Sequence, residues 1–193
     1  KIKSWLAQCK QPLLMQYRVN AGFISPEHWV HKDAEGRSRI VGEMSHFIDW
    51  MQFITGETVK RVFAERISGN EKNIVNNDNV IVTLKLSGGS LATLNYTASG
   101  HRALSRESIE IFCDGLSIRS TDFRVSECFS AKGKRRFKTR GQSLGYRGAR
   151  HHFMHCVRGL EKPTVSLLDE LQTMSVVFNI EAALAKGMPI CIS

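Results

Sequence analysis

The sequence predicts an α+β domain: a large open, mostly antiparallel β-sheet with helices packed on one face. Three observations carry that reading. Apolar residues recur at helical spacing over 42–54, and again over 146–158 and 167–186. Between those helices five segments alternate apolar and polar residues with period two: 59–67, 80–86, 91–97, 108–113 and 116–120. The links Gly88-Gly89 and Asp114-Gly115 are too short for a parallel crossover, which takes about a dozen residues or more, so the strands they join are antiparallel neighbours. At 193 residues, 42% hydrophobic and 23% charged, the chain has the length and composition of one globular domain rather than a disordered tail. No apolar run reaches the roughly 18 residues a membrane helix needs, so no membrane association is expected.

In chain order, Ile2, Trp5, Leu6 and Cys9 share one face of a short opening helix that Pro12 ends. Over 13–20, Leu13, Met15, Tyr17 and Val19 alternate with Leu14, Gln16, Arg18 and Asn20, a strand with one mostly polar face. Residues 23–38 contain Pro26, Gly36 and mixed charges without a sustained period, and read as a long loop carrying His28 and Trp29. Met44, Phe47, Ile48, Met51 and Ile54 form the inward stripe of the next helix, which Gly56 closes. After the strands, Gly159 caps the 146–158 helix. Ser166 and Asp169 make a capping-box-like start for the last helix, Gly187 ends it, and Pro189 follows.

The formal charge is +9, and six of the cations fall in 132–140 with no acid among them. Most of the excess is therefore one local feature, expected to be a solvated hairpin. Only Phe137 interrupts it, which leaves no aromatic ladder for stacking bases, so nucleic acid is not the expected partner. Cys9, Cys113, Cys128, Cys156 and Cys191 are odd in number and never spaced Cys-x-x-Cys. That argues against a disulfide framework or a zinc ribbon and for a reducing, cytoplasmic setting. The chain opens on Lys1 with no basic-apolar-small leader after it. It is therefore expected to be a piece of a longer protein, and the sequon Asn95-Tyr96-Thr97 to go unused.

Several constellations bear on chemistry. No two glycines stand as Gly-x-Gly and no Gly-Lys-Ser/Thr occurs, so the chain lacks both the dinucleotide fingerprint and a P-loop. On the 42–54 helix, Glu43, His46, Asp49 and Trp50 form a second stripe, three or four residues apart. A histidine flanked by carboxylates that fix its tautomer suits proton transfer, although an ordinary solvated stripe has the same spacing. Arg18 and Asn20 share a strand face, where a guanidinium beside an amide suits hydroxyl or anionic groups, and Trp29 beside His28 offers a ring for stacking on a sugar. A polar sheet face with an anchoring tryptophan would read the same way. His151, His152 and His155 have metal-compatible spacing, but no cysteine or carboxylate stands at a suggestive distance from them, so no metal site is expected.

Taken in order, Tyr17-Arg-Val-Asn-Ala-Gly22, His28-Trp29, Gly42-Glu-Met-Ser-His-Phe-Ile-Asp49, the Gly-Gly-Ser hairpin and Phe153-x-x-Cys-Val-Arg-Gly-x-x-Lys-Pro163 resemble the C-terminal domain of the Gfo/Idh/MocA oxidoreductases. These are the glucose-fructose oxidoreductase and inositol dehydrogenase relatives. Within that family the resemblance runs toward bacterial members linked to a zinc-type alcohol dehydrogenase module.

The resemblance implies that residues 1–193 are a substrate-binding and oligomerisation domain. Its Rossmann partner, absent from this chain, would bind NAD or NADP and supply a lysine from a Glu-Lys-Pro motif. Glu161-Lys162-Pro163 has those letters but lies between the last two helices, so Lys162 is not read as catalytic. The family places an Asp-x-x-x-His pair at the start of its first long helix. His46 matches the histidine, whereas Gly42 stands at the aspartate position with Glu43 beside it. The implied roles are proton transfer at His46 with Glu43, Asp49 holding His46, and Arg18, Asn20, His28 and Trp29 around a sugar-like substrate. The intact protein would then be an NAD(P)-dependent sugar-type dehydrogenase that forms a homo-oligomer through its sheet face. Two other classes fit the same residues: an anion- or nucleic-acid-binding module using 132–140, and a silent oligomerisation scaffold kept open by Gly42.

Overall fold

In a computed structural model, residues 1–32, 34–69, 74–141 and 145–192 are described. The strands are β1 (Leu14–Asn20), β2 (Val59–Arg66), β3 (Asn79–Leu86), β4 (Leu91–Thr97), β5 (Glu107–Cys113), β6 (Leu116–Thr121), β7 (Val125–Ser130), β8 (Gly133–Lys138) and β9 (Ile190–Cys191). The α-helices are α1 (Ile2–Leu6), α2 (Ser45–Thr55), α3 (Tyr146–Val157) and α4 (Leu167–Lys186). All nine strands join one open sheet in the order β8-β7-β6-β5-β1-β4-β3-β2-β9. Its ladders are antiparallel except for β1 with β4, where Leu14 faces Leu91 and Asn20 faces Thr97. That parallel pair is closed by the long excursion through α2, β2 and β3, the kind of crossover parallel strands require. Asp114 (φ 50°) and Gly115 (φ 71°) are both left-handed, as a two-residue hairpin between β5 and β6 demands.

Alternation puts Met15, Tyr17, Val19, Leu84, Leu94, Tyr96, Ile109, Ile111 and Ile118 on one buried face. Against it lie Phe47, Ile48, Met51 and Ile54 of α2 and Val176, Val177, Ile180 and Ala183 of α4, all buried. The inward stripe read from the sequence is the stripe that packs. Gly56 closes α2 at φ 70°, and the Ser166–Asp169 capping box opens α4 with both of its reciprocal hydrogen bonds. The expected α+β architecture is thus observed. Two refinements concern its margins: α3 buries none of its residues, and the loop over 23–38, of which residue 33 lies outside the described residues, contains a single 3-10 turn at Trp29–His31.

The basic segment is an element of the sheet. Read as a solvated hairpin, it forms the edge strand β8, paired with β7. The open face carries a cross-strand row of Gln16, Glu110, Arg119, Glu127 and Arg136. Glu127 receives Lys134 Nζ at 2.7 Å and Arg119 Nη2 at 2.9 Å, with Arg136 Nε at 3.8 Å. Lys134 first and then Arg119 hold its carboxyl at about 2. On the other side of the strand Arg135 donates to Cys128 Sγ (3.2 Å) and lies over the Trp5 ring. A short, highly charged edge strand resists pairing with another sheet edge. No helix among the described residues is long and apolar enough to cross a membrane.

Ile48 is fully buried where α2 meets the sheet, so Ile48→Ala is expected to cost about 2–5 kcal/mol of stability, measured as a lowered midpoint in urea titration with an unchanged slope.

Candidate functional site

The residues around His46 are organised by Arg39, which is 1% exposed and stands just before a π-helical turn, Ile40–Met44, that leads into α2. Its Nε donates to Glu43 Oε1 at 2.9 Å, and its Nη1 donates to the Gly22 carbonyl (2.8 Å) and to Asp78 Oδ2 (3.3 Å). The guanidinium lies 5.2 Å from the centre of the Tyr96 ring. Glu43 Oε2 in turn accepts from Tyr96 Oη at 2.9 Å and from Arg106 Nη2 at 3.3 Å. Burial alone would push the Glu43 carboxyl up, but the hydrogen bonds and charges of Arg39, Tyr96 and Arg106 outweigh it and hold it below the usual range. Burial raises Tyr96 and keeps it a phenol donor. The Asp78 carboxyl is also raised by burial, against the opposing pull of Arg39 and of His31, whose Nε2 stands 3.6 Å away.

His46 sits in the first turn of α2 with its ring exposed. Its Nδ1 is 3.1 Å from the Glu43 carbonyl oxygen. A carbonyl can only accept, so Nδ1 carries the hydrogen and Nε2 of the neutral ring is left as the acceptor. The tautomer is therefore set by the backbone of Glu43. Among the described residues no hydrogen bond joins Asp49 to His46, and the two groups act on one another through charge alone. The Glu43 carboxylate, expected to share in proton transfer, is committed to three donors. Asp49 lies one turn further along, its carboxyl raised by desolvation and by Asp169 against the opposing pull of His46. It borders a cleft of about 270 Å³ lined also by Gln52, Phe53, Glu57, Thr164 and Asp169. Trp50, grouped with the polar stripe in the sequence, packs edge-on against Tyr17 and Phe123, both at 5.4 Å.

Arg18 and Asn20 do not join this group. The register that turns Tyr17 and Val19 toward α2 turns them to the opposite sheet face. There Arg18 donates to Ser105 O (2.8 Å) and Ser105 Oγ (2.9 Å), and Asn20 donates to His101 O at 2.9 Å. They fasten the connection over 98–106, where a Cβ on Gly100 would lie 2.2 Å from Asn20 Oδ1. His28 caps the Trp29–His31 turn by accepting from Val30 N, and Trp29 is 55% exposed beside it. Among the described residues neither makes a ring or hydrogen-bond contact with His46, but His31 of the same turn reaches Asp78 and so ties it to Arg39. Arg39, Asp78, Tyr96 and Arg106 were not singled out from the sequence. Only the Arg39–Glu43 spacing of four residues was a legible signal. The histidines of α3 do have a carboxylate partner: Glu161 receives His152 Nδ1 at 2.7 Å and His155 Nδ1 at 2.8 Å, all three near the surface.

These residues do not fit a dinucleotide. The entry to α2 presents Glu43, and the α4 start is filled by its own capping box with Asp169 and Glu170 in the first turn, so neither offers free N–H groups to a pyrophosphate. The architecture is that of a one-sided open-sheet domain rather than a doubly wound nucleotide-binding one. The chain belongs to the GFO/IDH/MocA family, whose C-terminal domain it matches over residues 11–119. No curated protein matches it by sequence. Among solved structures it is similar to an oxidoreductase domain protein from Kribbella flavida (TM-score 0.80, 19% identity, 100% of this chain and 62% of that one). It is also similar to levoglucosan dehydrogenase in complex with NADH and levoglucosan (0.79, 16% identity, 99% and 62%). A third is the WlbA dehydrogenase from Bordetella pertussis in complex with NADH and UDP-GlcNAcA (0.74, 16%, 100% and 58%). The chain thus spans about three fifths of the length of the structures it resembles.

Because the Glu43 carboxyl is lowered in the folded chain, its contribution to stability is fully present above its unfolded value of about 4.3. That contribution is lost as pH falls through the lowered folded value. Urea titrations over an acid pH series are expected to show a shallower fall in stability for Glu43→Gln than for the parent.

Proposed function

We propose that this chain is the substrate-binding half of an NAD(P)-dependent dehydrogenase acting on a secondary hydroxyl of a sugar, nucleotide sugar or polyol. The dinucleotide would be held by a Rossmann segment outside these residues. The observation that carries this reading is His46. Its Nδ1 hydrogen is occupied by the Glu43 carbonyl, which leaves Nε2 as the acceptor of an exposed residue at the start of α2, the arrangement a general base needs. Oxidising a secondary alcohol requires the hydroxyl proton to leave, and Nε2 is where this chain receives it. Arg39 and Glu43 position the turn and take no proton themselves. Asp49 borders the adjoining cleft, where its carboxylate is free to accept from a substrate hydroxyl, and Trp29 offers a flat apolar ring with His28 beside it. Family membership and the NADH and sugar-type ligands of the relatives above support this reading.

The open sheet face supports self-association. Leu91, Leu14 and Phe112 are adjacent in register and 39%, 43% and 40% exposed, an apolar row beside the charged one.

In the full-length protein, His46→Ala is expected to lower kcat with a sugar substrate about 10²- to 10⁴-fold and to remove the acid limb of the kcat/KM profile for oxidation. Unchanged turnover at every pH would overturn the proton role. If the parent fails to reduce NAD or NADP with any of a panel of sugars, nucleotide sugars and polyols, the dehydrogenase reading falls as a whole. Phe112→Lys is expected to shift the sedimenting species to a smaller mass, and an unchanged mass would exclude the open face as the interface.

A further inference from the structure

Cys9 and Cys113 are 104 residues apart and meet at the end of β5 remote from Glu107, away from the Arg39 network. The Cys9 sulfur, the Cys113 sulfur and a carboxylate oxygen of Asp114 all lie within 4.8 Å of one another. The chain leaving α1 folds over the β5–β6 turn to bring this about. The N–H groups of Lys10 and Gln11 donate to Asp114 Oδ2 at 2.6 and 3.2 Å, and Cys113 Sγ donates to the Gln11 carbonyl at 3.1 Å. The Cys9 thiol points at the Cys113 carbonyl, 3.9 Å away. Cys113 is buried, Cys9 half-buried and Asp114 exposed, so the group is walled by protein on the thiol side and open to solvent on the carboxylate side.

We propose that Cys9, Cys113 and Asp114 form a binding site for a soft divalent cation of the zinc type. Two sulfurs and one oxygen are a ligand set that selects such ions over calcium or magnesium, which take oxygen ligands. Zinc bound to sulfur at about 2.3 Å and to oxygen at about 2.1 Å holds tetrahedral neighbours roughly 3.5–3.8 Å apart, so groups within 4.8 Å of one another need to close by at most about 1.3 Å. Two N–H donors already orient the Asp114 carboxylate through Oδ2, the kind of outer support that metal ligands receive. The fourth position falls on the open side and is filled by water. Binding converts both thiols to thiolates and releases two protons, with no change of oxidation state. Its consequence is structural, because it ties the segment after α1 to the β5–β6 hairpin through bonds stronger than the present weak sulfur contacts. Cysteine spacing could not reveal the site, because Cys9 and Cys113 are 104 residues apart and meet only where the approach to β1 lies beside the end of β5.

The test titrates the freshly reduced chain, under anaerobic conditions, with cadmium chloride as a spectroscopic probe and with zinc chloride against a chromophoric chelator. The expected result is saturation at one equivalent, an ultraviolet thiolate-to-cadmium charge-transfer band, a raised Tm with zinc, and reversal of all three by EDTA. Cys9→Ser is expected to weaken zinc binding at least about 100-fold and Asp114→Asn about 10- to 100-fold. Cys113→Ser replaces a buried side chain, so the half-buried Cys9 carries the decision. A cadmium band of unchanged intensity and unchanged affinity in Cys9→Ser would overturn the proposal, as would the absence of any band in the parent. Loss of two free thiols on exposure to oxidised glutathione in the presence of excess zinc, with a Cys9–Cys113 disulfide found by mass spectrometry, would also overturn it.

Discussion

Everything near the candidate site depends on one buried cation. The Arg39 guanidinium has almost no contact with solvent, and it is tolerable there only because a carbonyl, two carboxylates and an aromatic face surround it. A buried charge loses several kcal/mol of hydration, which is offset only when its partners are all in place. Those partners come from the segment after β1, the π turn before α2, the approach to β3, and β4. Satisfying one side chain therefore fixes four pieces of chain at once. The π turn that this imposes sets the direction in which α2 leaves, and so where His46 stands. Glu43 belongs to that scaffold through its side chain and to the site through its carbonyl, so a single residue couples the buried network to the exposed imidazole.

How much of this could be read from the residues follows from what alternation encodes. Strands β1 to β6 with one apolar face, the stripe of α2 and both ends of α4 were legible because period and capping chemistry are local. Strands β7 and β8 were not, because the helix-covered face is sparsely covered at that edge of the sheet. There Arg135 and Phe137 face one way and Lys134 and Arg136 the other, and no apolar period survives. Strand β9 is two residues long, too short for any period. Arg18 and Asn20 show a subtler limit: alternation correctly put them on one face, but it says nothing about what covers that face. The cover is the connection over 98–106, which meets them through carbonyls that no side-chain pattern reveals.

The same limit applies to the site. His46 was visible from helical spacing, whereas its real partner is a backbone oxygen. The Arg39–Glu43 spacing was present in the sequence, yet nothing local says that the arginine is buried, because the second carboxylate, Asp78, lies beyond an entire strand and loop. Placing a site of this kind requires the fold, since its decisive contacts join residues that only the sheet topology brings together.

The position of β1 in that topology has a consequence for how the molecule forms. It is the central strand, yet its parallel neighbour β4 begins with Leu91 facing Leu14, and Leu13 reaches across 77 residues to Ser90. Its other neighbour, β5, arrives later still. A nascent chain must therefore hold β1 unpaired on both edges until residues 91–97 have been made, whereas the meander from β2 to β4 can assemble from local contacts as it emerges. Closure around β1 is then the late, cooperative event, and the period before it is when this chain is most exposed to misassociation.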